Sequence, residues 1–243
     1  MNTATNSNKE EQTINRFFKE VYKKSDKLIG YFLISYFIFG LIIAFWYNTW
    51  VIAIGVGGLC TLSFFLATKL FPDSRVNQYV ASAAVGIYVA QYIYQMHGLF
   101  EMHFFAFIGA TLMISYQNWK SLIPVGLIVA IHHGLFAYLE YSGNDKIYFT
   151  TDQYDMGLQA FIFHVVLAVV ILFICGLWSY QLEQNTINNT KNILIMEEMN
   201  NTIIKNMEFA SELADGKTEI NYEHQKDDVL GDALLKIRDR LKK

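Results

Sequence analysis

His97-Gly98-Leu99-Phe100-Glu101-Met102-His103, an apolar run, Tyr116-Gln117-Asn118-Trp119-Lys120, and a second apolar run ending at His132-His133 form the stretch that decides the fold. The runs have the character of membrane-spanning helices, yet four histidines and a carboxylate sit within or beside them. Ionisable groups are expensive in hydrocarbon, so the default reading of each is functional. His164 brings a fifth imidazole in the next apolar segment.

Outward from that stretch, the chain of 243 residues is 53% hydrophobic and 16% aromatic, with a formal net charge of −3. Nearly all charge lies before Leu28 or after Tyr180. This segregation excludes an ordinary soluble domain and predicts an all-α membrane protein with polar ends. Cys60 and Cys175 stand in separate apolar runs, which predicts packed residues rather than a disulfide or thiolate site. No phosphate-binding loop or Ser/His/Asp arrangement is present, and nothing points to nucleic acid. The first 27 residues are polar and basic, without the short apolar core of a secretory signal.

Residues 1–9 read as disordered, being rich in Asn, Thr and Ser. Over 10–27, Ile14, Phe17, Phe18 and Val21 fall at helical spacing with lysines on other faces. That pattern predicts either an amphipathic helix on the inner membrane surface or an extension of the first span. Six apolar segments follow at 28–46, 50–68, 79–97, 102–117, 121–140 and 157–180, each near the length a bilayer requires. Lys and Arg concentrate in the N-terminal arm, the loop with Lys69 and Arg75, the Lys120 turn and the tail. The opposite connections hold one lysine against Glu101, Asp145, Asp152 and Asp155. Both termini are therefore expected in the cytoplasm, the protein lying in a bacterial inner membrane and contacting lipid.

Orientation sets the depth of each histidine. His97 closes span three, His103 opens span four, and His132, His133 and His164 lie about 12 Å below the outer boundary. Five imidazoles from four helices thus share one level as cofactor-binding candidates with Glu101. Helical bundles build such sites from side chains on facing helices. Adjacent His132 and His133 point about 100° apart, so at most one aims squarely at a shared centre. Tyr88, Gln91, Tyr92 and Gln95 form a polar stripe on span three, a candidate supporting shell for the histidines. The cofactor is expected to be b-type haem or a copper, zinc or iron ion. Gly86, Gly98, Gly109, Gly126 and Gly134 offer room for a macrocycle, and Met102 favours copper if it points inward.

Span six is expected to continue into the cytoplasm as a coiled-coil linker over 181–209. Ile193, Met196, Asn200, Ile203, Met207, Ala210 and Ala214 repeat at 3-4 spacing, and Asn200 at a core position fixes register. Gly216 ends this helix, and Asp228-Val229-Leu230-Gly231 opens another in which Leu230, Leu234, Ile237 and Leu241 keep the same spacing. Two such short helices cannot bury their apolar stripes alone, which predicts a parallel homodimer forming a four-helix bundle.

Residues 210–243 resemble a HAMP signal-relay domain in the Leu213-Ala214-Asp215-Gly216 helix end, the connector with Ile220 and the Asp-Val-Leu-Gly start. The part from about Tyr79 to Tyr180 resembles the multi-span input region of chemotaxis-receptor, histidine-kinase and diguanylate-cyclase sensors. Glu101-Met102-His103-Phe104, Tyr116-x-x-Trp119, His132-His133 and His164 carry that resemblance, although relatives often have Arg-Asp where this chain has Gln117-Asn118. It implies a sensory input. The expected organisation is an arm at 1–27, a six-span sensor at 28–180, the linker, and a HAMP-like relay. The function expected is a transmembrane receptor rather than an enzyme, with its output module missing or supplied in trans. The rival readings are a metal-dependent membrane hydrolase or oxidase using the same cluster, and a cytochrome b-type electron carrier.

Overall fold

The computed structural model describes residues 2–143, 158–220, 222 and 228–242. Regular structure among these residues is entirely helical. Two compact units form: Asn15–Thr186, and Met1–Ile14 together with Ile187–Lys243.

The first helix, α1 (Asn2–Tyr47), is unbroken. Residues 1–9, expected to be disordered, are helical from Asn2, and the boundary expected at residue 27 falls inside one helix. The local reason is that no glycine or proline occurs before Gly30. The arm is therefore continuous with the first long apolar helix. Phe18, expected on the apolar stripe of this arm, and Tyr22 are each only 6% exposed. Their rings pack 6.0 Å apart, and Arg75 Nε donates to the Tyr22 hydroxyl at 3.2 Å.

The helices that follow are α2 (Trp50–Leu70), α3 (Arg75–Gln95), α4 (Phe104–Met113), α5 (Leu122–Tyr141), α6 (Leu158–Ala214) and α7 (Val229–Leu241). A π-helical turn at Ala53–Gly57 interrupts α2. Short 3-10 turns at Phe100–His103 and Trp119–Ser121 lead into α4 and α5. Four stretches are long and apolar enough to cross a membrane: Asn8–Tyr47, Trp50–Leu70, Trp119–Leu139 and Phe161–Ala214. Phe100–Tyr116 is a shorter apolar helix. At 21 residues α3 has the length but not the composition, since it carries Asn77, Gln78, Ser82, Gln91 and Gln95.

The placement of α3 accounts for its polarity. It packs against α2, α4 and α5, and all five of those polar residues are buried. The outer helices instead turn Ile38, Val51, Leu59, Leu127, Ile131, Phe163 and Leu167 outward. A polar centre with an apolar exterior is the arrangement of a protein solvated by lipid, where internal polar groups must satisfy one another. This is a membrane protein.

Glycines set the helix spacing. A Cβ on Gly109 would stand 2.2 Å from Val85 Cγ1, so α4 meets α3 at a distance only glycine allows. A Cβ on Gly86 would meet Ile128 Cβ at 3.0 Å. Space expected for a macrocycle at these two positions is taken up by neighbouring helices.

At the other end of α3, Asp26 accepts from Asn77 Nδ2 at 2.9 Å and from the Tyr116 hydroxyl at 2.8 Å. Asn118 donates to Gln78 Oε1 at 2.8 Å, and Gln117, with φ +52°, accepts from Thr186 Oγ1 at 2.6 Å. Gln117 and Asn118 thus bind the Tyr116–Lys120 turn to α3 and α6.

In the second unit, Gly216 (φ +78°) ends α6, with its amide donating to the Leu213 carbonyl at 3.1 Å. Asp228 caps α7 by accepting from the Gly231 amide at 3.0 Å, and it also accepts from Asn206 Nδ2 at 2.8 Å and the Tyr222 hydroxyl at 2.7 Å. Tyr222 further bonds Asn206 Oδ1 and stacks on Phe209 with ring centroids 4.4 Å apart. The α6 face used by these contacts is Asn206, Phe209 and Leu213. Ile193, Met196, Ile203 and Met207 are left exposed, as are Leu230, Ile237 and Leu241, with Asn200 exposed on α6 and Leu234 half-buried on α7. The acidic connection at 144–156 and His224 lie outside the described residues.

Candidate metal centre

Local chain reversal builds the first part of the site. His97 (φ +51°) and Gly98 (φ +77°) both adopt left-handed conformations, and the Gly98 amide donates to the Ile93 carbonyl at 2.9 Å. The chain then turns through Phe100–His103 and delivers His103 at the start of α4, 4% exposed. His103 Nδ1 lies 3.1 Å from the Phe100 carbonyl. A carbonyl only accepts, so Nδ1 carries the proton and Nε2 is the ligating nitrogen.

His133, 6% exposed on α5, is oriented in the same way. Its Nδ1 donates to the Val129 carbonyl one turn earlier at 2.8 Å, which makes Nε2 the ligand atom. Fixing an imidazole through its second nitrogen is the usual manner of holding a metal-binding histidine. His132 Nδ1 lies 3.4 Å from His133 Nδ1, and the His132 ring packs on Phe136 with centroids 4.1 Å apart. The single His133 Nδ1 proton is already directed at the Val129 carbonyl. Of the adjacent pair, His133 and not His132 belongs to the group of histidines that could hold an ion.

The third member comes from α6. The His164 ring lies parallel to that of His133, 15° apart with centroids separated by 5.3 Å, and edge-on to His103 at 5.4 Å. His103 and His133 meet edge-to-face at 5.2 Å. One ligand atom from each of His103, His133 and His164 lies within 4.8 Å of the others. Phe100 covers this group, its ring stacked 5.7 Å from His103 and edge-on 6.1 Å from His164.

The remaining candidates go elsewhere. The left-handed turn places His97 against the Tyr47 ring, with centroids 3.7 Å apart, and Glu101 is exposed. Neither belongs to the three-histidine group among the described residues. The polar stripe of α3 faces α1 and α2. Tyr88 donates to the Gly57 carbonyl at 2.7 Å, within the π turn, and Tyr92 donates to the Tyr36 carbonyl at 2.6 Å. Gln91 Nε2 donates to Gln95 Oε1 at 2.8 Å, and Gln95 Nε2 to the Gly40 carbonyl at 3.0 Å. These groups hold the bundle together rather than support the histidines. No sequence signal distinguishes the two roles, because helical spacing assigns a face but not its neighbour.

Three imidazoles from three helices fit a metal ion. Nitrogens about 2.0–2.1 Å from zinc can stand at most about 4.2 Å apart, so the group closes slightly around an ion. A porphyrin fits poorly, because a macrocycle passing between any two of these rings runs into the third. No family model, curated protein or solved structure matches the chain.

Proposed function

We propose that the chain is a transmembrane receptor in which a metal ion held by His103, His133 and His164 governs how α6 is attached to the rest of its bundle. The observation that carries this reading is the division of the ligands. His103 and His133 belong to the packed centre, whereas only 6% of the most apolar window of α6 is buried. An ion drawing His164 towards the other two adds a strong bond to a helix with little packing of its own, and the equilibrium position of that helix then depends on occupancy. When bound, the ion supplies a charge and three coordinate bonds. The protein supplies the imidazole nitrogens, with the tautomers of His103 and His133 fixed by backbone carbonyls.

The finer reading follows the sequence. The chain has six spans with both termini in the cytoplasm of a bacterial cell, and residues 210–243 act as a HAMP-like relay in a homodimer. Support for the dimer comes from the exposed Ile193, Met196, Ile203 and Met207 face, since the intrachain contacts use the Asn206, Phe209 and Leu213 face. Haem is the weaker assignment because of the crowding of the three rings. Among the described residues no carboxylate joins the three histidines as the base that a hydrolase would use, and an electron carrier needs a second cofactor level.

Fluorescent labels at Leu135→Cys and Val166→Cys, with Cys60 and Cys175 replaced by alanine, test the coupling. Addition of Zn(II) or Cu(I) should shorten the distance between labels, with no change in the same protein carrying His164→Ala. Equal distances with and without either ion contradict the proposal.

A further inference from the structure

We infer that the groove between α5 and α6 holds one acyl chain of an anionic phospholipid, with the headgroup phosphate beside Lys120. This lipid site is independent of the three histidines and stands on the membrane setting of the bundle.

The groove has a volume of about 620 Å³. Ile123 and Leu127 on α5 and Val169, Phe173 and Leu177 on α6 line it, and all five are exposed. Two glycines give it depth. A Cβ on Gly126 would stand 3.2 Å from Leu172 Cδ1, and one on Gly176 would stand 3.8 Å from Leu122 Cδ1. Without those carbons, a channel remains where side chains of the two helices would otherwise interlock.

Its length matches one leaflet. Trp119, just before α5, and Tyr180, on α6, line one end. Trp and Tyr collect where a membrane meets water, with their rings at the level of the headgroups. From Val169 to Tyr180 the groove follows α6 for about 16 Å at the helical rise. Half of a hydrocarbon core is about 15 Å. The groove therefore reaches from the interface to the membrane midplane, as one acyl chain does. A spanning helix of a second copy would instead need a face running through the full thickness.

Charge selects the headgroup. Lys120 is exposed at the aromatic end, its Nζ 6.0 Å from the centroid of the Trp119 ring. Glu183, the first acidic residue beyond Tyr180 on α6, lies near enough to Arg75 to interact with its charge. A phosphate at this end of the groove meets the Lys120 ammonium. A zwitterionic lipid brings its own ammonium and gains less from that contact than an anionic lipid does.

The test is native mass spectrometry of the detergent-purified full chain, with equimolar phosphatidylglycerol and phosphatidylcholine carrying the same acyl chains. Phosphatidylglycerol should occupy the chain about fivefold more than phosphatidylcholine, the effect of one lysine at a membrane surface. Lys120→Ala should remove that preference. Gly176→Leu, whose side chain enters the groove, should lose both lipids. Gly176→Ala should retain phosphatidylglycerol, which separates filling of the groove from misfolding. Equal occupancy of the two lipids on the wild type, or unchanged phosphatidylglycerol on Lys120→Ala or Gly176→Leu, overturns the assignment. So does a wild type that carries neither lipid and loses subunit association on Gly176→Leu, which gives the groove to a second copy.

Discussion

Thr186 Oγ1 donates to Gln117 Oε1 at 2.6 Å, and this bond ties α6 to the turn between α4 and α5. His164 lies twenty-two residues earlier on the same helix, about 33 Å away at the helical rise, roughly the thickness of a hydrocarbon core. The helix is thus held to its unit at two separated levels, by a hydrogen bond at one and by the imidazole group at the other. A change in the second tie acts on a helix whose far end is already anchored.

Thr186→Val removes the hydroxyl but keeps the shape. A net loss of about 0.5–1.5 kcal/mol is expected, the ordinary worth of a protein hydrogen bond. Denaturant unfolding in detergent measures it. Metal stoichiometry should not change, because the site lies at the other end of the helix.

Gly109→Ala places a Cβ 2.2 Å from Val85 Cγ1, a contact that a well-packed core cannot absorb. Overpacking of this kind costs about 1–3 kcal/mol. Val85→Ala in the same chain should recover much of the loss, and a double-mutant cycle on thermal stability shows whether the two positions couple.

Asp26→Asn leaves one oxygen for two donors, the Tyr116 hydroxyl and Asn77 Nδ2. One buried donor then lacks its acceptor, at an expected cost of about 1–3 kcal/mol. Asp26→Ala should cost at least as much. Equal unfolding midpoints for wild type and Asp26→Ala would show that this network is dispensable.

Much of this architecture was legible in the sequence, for identifiable reasons. Charge segregation and apolar runs foretold an all-helical membrane protein, since lipid leaves few ways to satisfy a backbone. Depth counting brought His103, His133 and His164 to one level because the helical rise is fixed. It also carried His97 along, because nothing in the residues announces that two successive left-handed positions swing that ring onto Tyr47. The stripe of Tyr88, Gln91, Tyr92 and Gln95 was visible, but its partners on α1 and α2 depend on tertiary placement. The Asp26, Asn77 and Tyr116 network was not visible at all. Its members are 51 and 90 residues apart in sequence, and no local pattern links them.

The tail offers a pH test. The Tyr222 phenol is pushed up to about 12, first by burial and then by its hydrogen bond to Asp228 and that carboxylate's charge. Its folded value exceeds the ordinary 10.0, so the stabilisation is fully present below that pH and is lost as pH rises through about 12. Tyr222→Phe should abolish this pH dependence while lowering stability at neutral pH. Phenolate absorbance, compared between the two proteins, follows the titration. A difference signal that titrates near pH 10 would contradict the Tyr222–Asp228 contact.

Metal content per chain, measured on protein purified without chelator and equilibrated with Cu(I) and Zn(II), tests the central claim most directly. About one ion per chain is expected in the wild type and in His97→Ala. Loss is expected in His103→Ala, His133→Ala and His164→Ala, each retaining its helical content. An ion retained by all three of these variants, or lost on His97→Ala alone, would contradict the account.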